Sequence, residues 1–234
     1  GGYGLAHRGL LGDNYRVRTV NLNQVGMVPP DAAVLIIAGP SSSFMVDERA
    51  KIEQYLRNGG RPMFLRDNAV NPQLNKLLNK WGIDLPQGTV LDIVNSAVGD
   101  PRSLIVRRGD YNPDNPITRP LDDTFFTEST VIQDIIKRAP ANLPPNPDEV
   151  HINLIPLAMT SVFSCVTTDR DRSHCAEDDD IFGPFPIAMA IEAVAPVGED
   201  PPQASSGGEV QLTSMVIFGD SDFASNNYYF ALNN

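Results

Sequence analysis

Residues 32–40 run Ala32-Ala33-Val34-Leu35-Ile36-Ile37-Ala38-Gly39-Pro40. An apolar run without polar alternation, stopped by a glycine and a proline, predicts a strand buried on both faces, as in parallel sheets covered by helices. Downstream, Ser41-Ser42-Ser43 leads into Val46–Arg57, where Val46, Ala50, Ile52, Tyr55 and Leu56 recur at helical spacing and Asn58-Gly59-Gly60 supplies a stop. Pro62 to Leu65 is a second short apolar strand, followed by Arg66-Asp67-Asn68. Leu74, Leu77, Leu78 and Trp81 then mark a second helix ended by Gly82. Strand, helix, strand, helix with short loops is the order of right-handed βαβ units, so the predicted class is α/β with a mainly parallel sheet flanked by helices. Upstream, Tyr15 to Leu22 alternates as a shorter strand, Pro29-Pro30-Asp31 makes a turn, and Gly4 to Gly12 reads as the tail of a helix.

The pattern changes after about residue 95. Ser103–Val106, Thr124–Ile132, Ile152–Val166 and Ile187–Val194 read as β segments between Pro- and Asp-rich loops, and Glu199–Gly208 as a flexible connector. A final strand, Ser214–Phe218, runs into Gly219-Asp220-Ser221-Asp222 and the start of a last helix. With 234 residues and 41% hydrophobic content the chain is expected to form one domain. Residues 1–95 and 209–234 would form its core, and about 96–208 an irregular β-rich elaboration.

A formal net charge of −11 opposes attraction to nucleic acid or anionic lipid, so no nucleic-acid partner is expected. No run approaches the ~18 apolar residues that span a bilayer, and no secretion signal opens the chain. Gly1-Gly2-Tyr3-Gly4 and Asn233-Asn234 both read as cuts within elements, which suggests a piece of a longer protein. Cys165 and Cys175 flank a polar loop; they suit either a disulfide outside the cytoplasm or two free thiols.

Three strands end in polar turns. In a parallel sheet these ends share one edge, where ligands bind, which nominates Ser41, Ser42, Asp67, Asn68, Asp220, Ser221 and Asp222 as ligand-binding residues. The competing reading makes them helix caps that satisfy free backbone N–H groups. Val216-Ile217-Phe218-Gly219-Asp220-Ser221 resembles the nucleophile block of GDS-type lipases and esterases, with Asp171-Arg172-Ser173-His174 as its acid and base. In that family, however, the serine block opens the chain and the histidine closes it, and the order here is reversed. Gly219-Asp220-Ser221-Asp222-Phe223 also lacks the second glycine of a nucleophile elbow. The Glu177-Asp178-Asp179-Asp180 run lacks the spacing of a calcium loop, and His7, His151 and His174 are too scattered to hold zinc. With no phosphate-binding glycine loop either, no metal, cofactor or catalytic residue is expected.

Taken together, Pro30–Pro40, Tyr55–Arg61, Leu77–Ile83, Asn115–Thr118 and Val216–Asn226 resemble the GldG-type auxiliary proteins of ABC transport systems, in the same order along the chain. The resemblance implies a flavodoxin-like or class I glutamine-amidotransferase-like fold that has lost its nucleophile. It also implies an extracytoplasmic location, on a parent protein anchored in the membrane. The expected partners are ABC transporter permease or ATPase-associated subunits, an envelope polysaccharide or the transported substrate. Arg66-Asp67-Asn68 stands where that family usually has an apolar residue and a proline, and where the amidotransferases carry their cysteine. Three functions follow as expectations: a non-catalytic binding or scaffolding module, a hydrolase using Ser221, Asp67 and Asp220, or a protein-interaction domain working through the loops at Leu143–Pro147 and Pro196–Pro202.

Overall fold

A computed structural model describes residues 2–68, 71–97, 99–139, 142–176, 181–201 and 211–231. The chain begins with α1 (Gly4–Gly12), β1 (Leu35–Ala38), α2 (Val46–Arg57), β2 (Pro62–Leu65) and α3 (Pro72–Asn79). Short strands follow: β3 (Ile83–Asp84), β4 (Thr89–Leu91), β5 (Ser96–Ala97), β6 (Asp100–Val106), β7 (Thr124–Thr127) and β8 (Gln133–Asp134). The chain closes with α4 (Pro147–His151), β9 (Ile152–Met159), β10 (Cys165–Thr167), β11 (Pro186–Ala193) and β12 (Thr213–Phe218).

The main sheet has the order β1-β2-β12-β11-β9. Its first three strands are mutually parallel, but β11 runs antiparallel to both β12 and β9. The sheet is therefore mixed rather than mainly parallel. Parallel neighbours need a crossover, usually a helix. Among the described residues no helix lies between β9 and β12, so these strands return by loops and pair antiparallel.

One face carries the helices. Ile52 and Leu56 of α2 and Leu74, Leu77 and Leu78 of α3 pack with Trp81 onto Phe64, Met189, Ile191, Met215 and Ile217. The other face is covered by strands: Leu104 and Val106 of β6 and Phe126 of β7 meet Leu65, Leu157, Ala188 and Phe218. Strand alternation explains the division, since Phe64 and Leu65 are successive residues pointing to opposite faces.

α2 has its expected bounds because its signals are local. The Glu48 carboxylate accepts from the Met45 N–H (2.8 Å), and the N–H groups of Asn58, Gly59 and Gly60 close the last turn. α3 opens on Pro72 with the Asn71 side chain accepting from the Leu74 N–H (3.0 Å). β1 departs from expectation: it stands at the sheet edge, and Ile36 is 45% exposed rather than buried. Tyr15–Leu22 forms no strand. Val20 and Leu22 lie against the helical core instead, and the Leu22 carbonyl accepts from Lys51 Nζ (2.8 Å). Thr124–Ile132 is a strand only to Thr127, because Glu128 takes φ +52° and breaks the ladder. Ile152–Val166 is split by a turn at Ser161–Ser164. After β12 the expected last helix is a single 3-10 turn, Asp222–Ala224. The acidic run 177–180 and most of the predicted connector, residues 202–208, lie outside the described residues.

Candidate functional site: a closed polar rim

Because β1, β2 and β12 are parallel neighbours, their carboxyl ends lie side by side. The ladder continues past them: the Gly39 N–H donates to the Leu65 carbonyl (2.9 Å) and the Arg66 N–H to the Phe218 carbonyl (3.0 Å). Asp67, Asp220, Ser221 and Asp222 are thereby brought together. The Ser221 N–H donates to Asp67 Oδ1 (2.9 Å), while Asp220 accepts from the Thr127 N–H (2.8 Å) and the Asp222 N–H (2.6 Å). Gly39 belongs to the same knot. At φ +51°, a Cβ there would stand 2.6 Å from Tyr3 Oη and 2.7 Å from Ser221 Oγ. Only glycine fits both the backbone and the space. Gly219, the residue before Asp220, has no room for a Cβ against the Thr130 carbonyl.

Electrostatics follow from burial. Asp220 is 1% exposed, and desolvation pushes its pKa up to about 7 despite the two N–H bonds that favour the anion, with the nearby Asp222 and Asp67 carboxylates adding to the rise. Asp222 is raised by its own burial and then by Asp67. Burial likewise raises the Tyr3 phenol, against the lowering effect of its hydrogen bond to Ser221.

The Ser221 side chain is not set up for attack. Ser221 is 1% exposed, and its hydroxyl is bound to the Tyr3 phenol at 2.8 Å, so no imidazole is its partner. His174 lies on the loop between Cys165 and Cys175, where its carbonyl accepts from Arg172 Nε (2.9 Å). A phenol with a raised pKa is a poor base at neutral pH. Among the described residues no group of three or more His, Cys, Asp or Glu is arranged to hold a metal.

The other candidates stand outside the knot. Ser41 and Ser42 are exposed, and the Ser42 carbonyl accepts from Asn71 Nδ2 (3.2 Å). Asn68 is taken up by the loop into β4, donating to Thr89 Oγ1 (2.8 Å) and accepting from the Gly88 N–H (3.2 Å). By the alternation that places Phe64 on the helical face, Arg66 falls there too. It is 4% exposed, one terminal nitrogen lacks a partner among the described residues, and desolvation lowers its pKa. The knot also contains residues that the sequence did not nominate, Tyr3 and Thr127. Tyr3 meets Ser221 across 218 positions, and no local pattern announces such a contact. A separate groove of about 370 Å3, lined by Met27, Val28, Tyr55 and Arg61 among others, lies beyond the opposite ends of β1 and β2.

The cysteines are resolved in favour of a bond: Cys165 and Cys175 form a disulfide with Cα atoms 5.8 Å apart.

The fold is thus that of a mixed α/β domain, and it is shared with the mmIFT52 N-terminal domain. That match has a TM-score of 0.58 at 14% identity and covers 97% of this chain and 82% of that one. The chain belongs to the family described as ABC-type uncharacterized transport system, which it matches over residues 5–233. A putative ThuA-like protein from Bacteroides uniformis also matches, at 15% identity over 81% of this chain and 61% of that one, but its TM-score of 0.33 is too low to bear on the fold. No curated protein matches the sequence.

Proposed function

We propose that the chain is a non-catalytic, GldG-type binding or scaffolding domain on the extracytoplasmic face of the cell membrane, part of a membrane-anchored protein that works with the permease or ATPase-associated subunits of an ABC transporter. Membership of the transport-system family supports association with transporter components. The Cys165–Cys175 disulfide supports an oxidising compartment. The observation that carries the non-catalytic reading is the Ser221 hydroxyl, buried and bound to a phenol rather than to a base. The half-buried Asp67 and Asp222 carboxylates and the exposed Ser41 and Ser42 hydroxyls suit a polyhydroxylated partner such as an envelope polysaccharide.

The test uses affinity-tagged full-length protein in its own host. Permease and ATPase subunits are expected to co-purify with it. Purified protein is expected to turn over no member of an ester and glycoside panel, and Ser221→Ala is expected to leave transport within twofold of wild type. Ester hydrolysis that disappears in Ser221→Ala would sink the proposal in favour of a hydrolase.

A further inference from the structure

Two turns outside the rim display apolar side chains to water. Ile93 and Val94, after β4, are 63% and 51% exposed, and Val162 and Phe163, between β9 and β10, are 56% and 58% exposed. The turns are adjacent because one carboxylate ties them together. Asp92 is 1% exposed; its Oδ1 accepts from the Val94 N–H (3.0 Å), the Asn95 N–H (3.0 Å) and the Ser161 hydroxyl (2.7 Å), and its Oδ2 accepts from the Ser161 N–H (2.7 Å).

The second turn is pinned from below as well. Ser164, fully buried, donates to the Ser161 carbonyl (2.8 Å) and pairs with the buried Thr160 hydroxyl (2.6 Å). The Gly183 N–H donates to the Ser164 carbonyl (2.9 Å). The next residue, Cys165, carries the disulfide, and Cys175 Sγ lies 3.9 Å from the Leu91 carbonyl and 3.7 Å from the Phe163 carbonyl.

Buried, fully bonded polar groups and a cross-link therefore hold four apolar side chains in the solvent. A turn serving only as a connection gains nothing from exposing Val162 and Phe163, and one free to move would fold them inward. A fixed apolar tip, by contrast, loses little conformational entropy when a partner covers it.

We propose that this tip, centred on Phe163, is the anchor by which the domain docks into an apolar pocket on the extracytoplasmic side of the permease of its transport system. The charge balance selects that occupant. At −11 the chain is repelled by anionic bilayers and by a second copy of itself. The tip also has none of the Lys, Arg, Trp or Tyr that anchor loops at membrane interfaces. Four half-exposed side chains fall short of the ~800 Å2 per partner of a standard interface, so the tip forms the centre of a larger contact.

This inference rests on the proposed transporter association, and the test separates the two. Tagged full-length protein is purified from its own host and the recovered permease and ATPase subunits are quantified. Phe163→Asp and the double variant Val162→Asp/Phe163→Asp are expected to lower recovery at least tenfold with unchanged Tm. Val46→Asp, at a 63% exposed residue in the first turn of α2, is expected to stay within twofold. Ser161→Ala keeps every apolar atom of the tip but removes its hydroxyl bond to Asp92, and is expected to lower recovery severalfold. Recovery by wild type and Phe163→Asp alike would overturn the tip and leave the association standing; no recovery by wild type would overturn both. Flotation with phosphatidylethanolamine–phosphatidylglycerol vesicles that depends on Phe163 would assign the tip to lipid and overturn the proposal.

Discussion

At Asp220 burial and hydrogen bonding pull in opposite directions. Two backbone N–H groups favour the carboxylate, yet desolvation wins and the folded-state pKa rises to about 7. An unfolded aspartate titrates near ~3.9, so between about pH 4 and pH 7 the folded chain holds a proton that the unfolded chain has released. The stability due to this group is therefore fully present below about pH 4 and is lost as pH rises to about 7, by an amount on the order of 4 kcal/mol. Other carboxylates add slopes of their own, Glu53 with the opposite sign because its ion pairs with Lys80 and Arg57 hold it low against burial. The informative measurement is therefore the difference between wild type and Asp220→Asn in urea unfolding from pH 4 to 8. The variant, which cannot ionise, is expected to gain on wild type steadily up to about pH 7 and then hold a constant difference. A pH-independent difference would mean that Asp220 is ionised throughout.

Among the elements, those with local signals were legible and those defined by their neighbours were not. α2 has its predicted limits because Glu48, Asn58 and Gly59 act within a turn of it. α3 was readable from Leu74, Leu77 and Leu78, which form a single buried stripe. The exposure of Ile36 was not readable, because the same apolar run serves a central or an edge strand depending on what lies beside it. The antiparallel course of β11 was hidden for the same reason: strand direction is set by the connection, not by the residues of the strand. Leu77, fully buried between α2 and the sheet, offers a test of the helical face. Leu77→Ala is expected to cost about 2–5 kcal/mol in denaturant unfolding with little change in m, while its exposed neighbour in Lys76→Ala stays within about 0.5 kcal/mol. Equal effects would show that α3 does not pack as described.

Across the whole molecule, contacts distant in sequence close the structure. The Asn226 side chain accepts from the Leu5 N–H (2.9 Å), the Asn226 backbone N–H donates to the Gly2 carbonyl (2.7 Å), and Tyr3 reaches Ser221 nearby, so the first helix is fastened to the strand end that carries the rim. The sequence showed which polar turns gather, because parallel strands share an edge, but not that Tyr3 would close over them. The disulfide stood undecided for a comparable reason: a separation of 10 positions permits a bond without requiring one, and the decision falls to the pairing of β10 with β4, which places Cys165 opposite Leu91 and Cys175 Sγ beside the Leu91 carbonyl. A loop of that length removes about 2–3 kcal/mol of chain entropy from the unfolded state. A thiol reagent is therefore expected to find no free cysteine in unreduced, denatured protein, and reduction or a Cys165→Ser/Cys175→Ser pair to lower stability by about that amount. The same change is expected to weaken docking through Phe163, whose carbonyl lies beside Cys175, while leaving the Asp220 pH profile unaltered, since neither cysteine is among the groups that shift Asp220. Two free thiols in the native protein would remove both the cross-link under the tip and the support it lends to an oxidising location.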